Sequence, residues 1–63
     1  MENEVINIMK NMESIFESAA TDATKFAEGN NSAGTRVRKA MQTIKALAQG
    51  IRVEVQDQKN AAF

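Results

Sequence analysis

Apolar residues recur along this chain in two helical repeats separated by one break. Val5, Met12, Ala19 and Phe26 stand seven residues apart. Ile8 and Ile15 fall three residues after members of that set, and Met9, Phe16 and Ala23 fall four after. Beyond the break, Val37, Ile44 and Ile51 make a second seven-spaced set, joined by Ala40 and Leu47 and then by Met41, Ala48 and Val55. Three apolar positions per heptad form a stripe wider than the two rows of a two-stranded seam. The break is Gly29-Asn30-Asn31-Ser32, a helix-ending glycine followed by turn and capping residues. The pattern predicts an all-α chain folded as a two-helix antiparallel hairpin. It is one domain over 1–63, with helix one over about 3–28, a turn over 29–32 and helix two over about 33–59.

Folding the second helix back opposes Phe26 with Val37, Ala19 with Ile44, Phe16 with Leu47, Met12 with Ile51 and Ile8 with Val55. Two helices cannot enclose faces this wide, so the remaining surface predicts a second hairpin. The expected assembly is a dimeric four-helix bundle or a higher helical oligomer. Composition points the same way. At 63 residues the chain is marginal as a lone domain, and it holds no Cys for a disulfide and no His for a zinc site. Oligomerisation is the remaining staple. Gly50, inside helix two, costs about 1 kcal/mol relative to Ala; it either admits another helix or is simply tolerated.

Charge adds what periodicity does not. Eight bases balance eight acids, yet residues 1–28 carry six acids and two bases while residues 29–63 carry two acids and six bases. No acid lies between Gly29 and Val53, a stretch holding Arg36, Arg38, Lys39, Lys45 and Arg52. Arg38, Lys45, Arg52 and Lys59 repeat every seven residues, beside a row of Gln42, Gln49 and Gln56. With helix two starting near residue 33, Arg36, Arg38 and Lys39 fall in its first two turns, where the helix dipole favours anions. A bound anion would restore the balance, with Ser32 and Thr35 hydroxyls as further donors and Gly34 keeping the backbone approachable. The competing reading is a solvated face whose tip cations are neutralised by Asp22 and Glu28 across the hairpin.

The stretch Gly29-Asn30-Asn31-Ser32-Ala33-Gly34-Thr35-Arg36-Val37-Arg38-Lys39, followed by the periodic helix through Leu47, Ile51 and Val55, resembles the bacterial linker-histone-like nucleoid proteins of the chlamydial type and their short relatives. The likeness is best over residues 26–60. It implies DNA binding and nucleoid compaction, with Arg36, Arg38 and Lys39 matching the basic motif and Lys45 and Arg52 as weaker counterparts. Longer members continue into a Lys-rich tail, where this sequence reads Ala61-Ala62-Phe63, so modest and salt-sensitive affinity is expected.

The leading expectation is a histone-like protein that contacts the DNA backbone without strong sequence preference. The alternative is a non-enzymatic structural or protein-interaction bundle, whose interface Ile6 and Val53 would extend. An enzyme fits poorly. Glu13 and Glu17 share a helix face as metal-binding carboxylates do, but a di-iron pattern also needs His. Ser14, Ser18 and Ser32 have no base partner, and the Met residues after the first read as gap-filling core. No cofactor, metal or small-molecule substrate is expected. No apolar run approaches the roughly 18 residues of a membrane span, and Glu2 and Glu4 stand where a secretory signal would be basic, so the chain reads as cytoplasmic and, through the resemblance, nucleoid-associated.

Overall fold

The computed structural model describes residues 3–61. Glu2, read above against a secretory signal, and the terminal Ala62 and Phe63 lie outside the described residues. Helix α1 spans Glu4–Ala27 and helix α2 spans Asn31–Ala61, and the two pack antiparallel with no strand among the described residues.

Both helix starts are set by asparagine. Asn3 has extended backbone and its Oδ1 accepts from the Val5 amide at 2.9 Å, satisfying one of the orphan donors of the first turn of α1. At the other end the Gly29 amide donates to the Phe26 carbonyl and the Asn30 amide donates to the Lys25 carbonyl, each at 3.0 Å. This pair of bonds requires a left-handed residue just past the helix, and Gly29 supplies it with φ of +106°. Asn30 then turns from terminator to initiator, its Oδ1 accepting from the Ala33 amide at 3.1 Å. Helix α2 therefore begins at Asn31, about two residues before the position that the turn composition suggests, and runs on to Ala61.

The short connection also moves the register. Phe26 lies against Gly34 instead of opposing Val37: a Cβ on Gly34 would come within 2.6 Å of Phe26 Cδ1. Asp22 pairs with Arg36, and Asn3 pairs with Gln58 at the open end. Interpolating between these anchors levels Ala19 with Ala40, Ile15 with Ile44, Met12 with Leu47 and Ile8 with Ile51. The expected layers of Phe16 with Leu47 and Ile8 with Val55 are not formed, because Phe16 and Val55 stand outside the seam as exposed residues.

The seam is thus narrow. Val5, Ile8, Met12, Ile15, Val37, Ala40, Ile44, Leu47 and Ile51 are half-buried, and among the described residues only Ala19 and Ala33 are buried. The molecule measures 53 × 20 × 11 Å, a single layer of two helices side by side. A layer one helix thick has a seam but no enclosed interior. Polar residues close each end of that seam: Asp22 with Arg36 near the turn, and Asn3, Gln58 and Glu54 at the open end, where Gln58 Nε2 donates to Asn3 Oδ1 at 2.8 Å and to Glu54 Oε1 at 3.2 Å.

Candidate nucleic-acid interface

The charged tip of α2 resolves into two unlike parts. Arg36 is committed: its Nε lies 2.9 Å from Asp22 Oδ1, with the carboxylate side chain 17% exposed and the guanidinium side chain 49% exposed. Asp22 is seated on the seam-facing row of α1, so the pair spans the hairpin and holds Arg36 toward α1. This is the neutralisation that the competing reading assigns to Asp22, realised for one of the three tip cations.

Arg38 and Lys39 are different. Among the described residues neither side chain has an ion pair or hydrogen bond, and both are exposed. With Thr35 and Gln42 they line one shallow depression on the outer surface of α2, away from α1. Residues 35, 38, 39 and 42 share a helical face, so a guanidinium, an ammonium, a hydroxyl and an amide converge on one patch of solvent. Gln42 belongs to this group, although sequence reasoning placed it only on a neighbouring row. Its signal was present in its spacing, three residues after Lys39 and four after Arg38. Ser32 is exposed in the first turn of α2 and does not line the depression.

Beginning α2 at Asn31 changes the dipole argument. Arg36 and Arg38 now fall in the second turn and Lys39 in the third, while the terminal field fades within the first turn. Their placement is less of a violation than a helix starting near residue 33 would make it. The first turn of α2 still contains no acid, whereas that of α1 begins with Glu4.

Further along, Lys45 and Arg52 line a second depression with Gln42, Ala46, Ala48 and Gln49. Gln42 borders both. The exposed surface of α2 therefore carries Arg38, Lys39, Lys45 and Arg52 in sequence, with no acid among residues 29–53. Such a surface offers sites for phosphate oxygens and lacks aromatic rings for stacking bases. Glu13 and Glu17 share an exposed face of α1, and no cluster of three or more metal-binding side chains occurs among the described residues. No described helix is long and apolar enough to cross a membrane.

A two-helix hairpin with cations along the outward surface of α2 defines a small, all-helical protein. The family described as histone H1-like protein Hc1 matches residues 6–61, nearly the whole chain, and the protein belongs to that family. It is a family of DNA-binding nucleoid proteins and not of enzymes. No curated protein and no solved structure matched the chain.

Proposed function

We propose that the protein binds the DNA phosphate backbone, without strong sequence preference, through the outer surface of α2 centred on Arg38 and Lys39. The observation that carries this reading is the convergence of these two cations with Thr35 and Gln42 on one depression that holds no acid. Family membership supports DNA as the polyanion. Arg52 extends the contact along the helix, Lys45 adds to it only where no second hairpin covers it, Ser32 is a peripheral donor, and Arg36 contributes less because Asp22 already holds it. The protein would act at the nucleoid as a structural component.

The contact is electrostatic, so its salt dependence reports how many phosphates are neutralised. Six tip cations from two hairpins would give a log–log slope near −5. Withdrawing Arg36 leaves Arg38 and Lys39 from each hairpin, so the tips alone neutralise four phosphates and contribute a slope of about −3.6, which each further α2 cation in contact steepens by about 0.9. Gel-shift titrations at several salt concentrations measure it directly. Reversing both residues (R38E, K39E) is expected to abolish the shift while far-UV circular dichroism stays helical. Unchanged binding by that variant, or a flat salt dependence, would sink the proposal.

A second reading, a module for protein contacts, is favoured by a separate observation: one side of the hairpin is apolar and uncovered.

A further inference from the structure

Six of the seven large exposed apolar residues share one side of the hairpin. Met9 and Phe16 follow the seam residues of α1 by four positions, and Met41 and Val55 do the same on α2. In an antiparallel pair these two rows flank the seam on the same side. Phe26 joins them by folding over Gly34, and Ile6 borders them; Val53 alone points elsewhere. Phe16 is 55% exposed and Met9 50%. The opposite side of the seam is polar, with Asn11, Ser18 and Lys25 on α1 and Arg36, Thr43 and Asp57 on α2.

The charges at the margins of the apolar side have opposite sign. On α1, Glu13 and Glu17 line the same depression as Met9, Met12 and Phe16. On α2, Lys45 and Arg52 line the depression that includes Ala48. Neither basic residue has an acid one turn away on its own helix. The face is thus an apolar strip with an acidic edge on one helix and a basic edge on the other.

We propose that this face binds a second copy of the chain about a two-fold axis parallel to the helices, so that α1 of each hairpin lies on α2 of its partner and both turns stand at the same end. Two two-fold arrangements can bury the strip face to face. An axis across the helices lays α1 on α1 and brings acidic edge to acidic edge and Lys45 to Lys45. An axis along them lays the acidic edge on the basic edge at unchanged height. The register levels Glu13 with Ala46 and Glu17 with Gln42, so the two carboxylates bracket Lys45 of the partner subunit. Lys10 shares the row of Glu17, one row further from the strip than Glu13, so Glu13 is the carboxylate nearest the basic edge. The 53 × 20 Å face exceeds the roughly 800 Å² that each partner contributes to a standard interface. With only two alanines buried among the described residues, each hairpin needs that cover for a core. Repulsion between the two basic tips is screened, since they lie ~20 Å apart, beyond the Debye length of about 10 Å.

The consequence deepens the DNA reading and rests on it: one end of the dimer carries the Arg38 and Lys39 pairs of both hairpins, on opposite flanks. The docking itself is tested without DNA, so its failure is separate from failure of that reading. Sedimentation equilibrium of the full chain at about 0.1 M salt, where the two tips are screened from each other, should give twice the 6.9 kDa chain mass. Lys45→Glu, or Glu13→Lys with Glu17→Lys, should weaken dimerisation at least tenfold, and the three changes combined should restore it to within about threefold. A spin label on Glu28→Cys, in a chain with no other cysteine, should report a distance of ~20–30 Å between subunits. A monomer at every concentration, a tighter dimer from Lys45→Glu alone, or a label distance near the full 53 Å length would overturn the proposal.

Discussion

The Nε of Arg36 sits 2.9 Å from Oδ1 of Asp22, joining the second turn of α2 to the seam-facing side of α1. One contact thereby fixes register and withdraws a cation from the surface. Replacing Asp22 by Asn is expected to do two opposed things. Stability should fall by no more than about 1 kcal/mol, because the guanidinium is half exposed and such pairs are weak. DNA binding should tighten, with the salt slope steepening by about 0.9 for each hairpin as Arg36 becomes available to phosphate. Urea melts and gel shifts on the same variant measure both effects.

The two glycines of α2 are expected to respond differently to alanine. Nothing lies within 4 Å of a Cβ placed on Gly50, so Gly50→Ala should raise stability by about 0.5–1 kcal/mol through helix propensity alone. Gly34→Ala brings its methyl to 2.6 Å from Phe26 Cδ1, and the ring must swing away. That variant should gain little or lose stability. Parallel thermal melts of the two proteins provide the comparison.

At Asn30 the side chain caps α2 while the backbone amide closes α1. Asn30→Ala removes only the first of these, and a loss of about 1 kcal/mol is expected. Asn30→Asp keeps the cap and should be close to neutral. Chemical denaturation separates the two variants.

The open end depends on a reciprocal amide pair, Asn3 Nδ2 to Gln58 Oε1 and Gln58 Nε2 to Asn3 Oδ1, both at 2.8 Å. A double-mutant cycle of Asn3→Ala and Gln58→Ala should give a coupling energy of about 0.5–1.5 kcal/mol. Zero coupling would mean that this pair does not anchor the register.

Much of this architecture is written in the residue pattern. The break at Gly29, the seven-residue repeats and the split of charge between the helices suffice to draw a hairpin with one acidic and one basic arm. The register is not legible in the same way, because three apolar rows leave two choices of seam. Polar residues decide it: Asp22, Glu54 and Gln58 lie in the seam row and find partners at its ends, which displaces Phe16 and Val55 to the outside. The tip shows the same limit. Arg36, Arg38 and Lys39 look alike as a cluster, but residue 36 faces α1 and residues 38 and 39 face away, a distinction that only the start of α2 and its rotation about the seam establish.

Gly29 carries a further consequence. The packing of α1 on α2 does not depend on both helices belonging to one chain; only the reversal at Gly29, with its φ of +106°, makes the contact intramolecular. A side chain there strains the reversal and favours one continuous rod. Two such rods, laid antiparallel, can re-create every α1–α2 contact between chains. A Gly29→Ala variant is therefore expected to populate such an exchanged dimer, a single backbone angle setting whether the two helices close on themselves or trade partners.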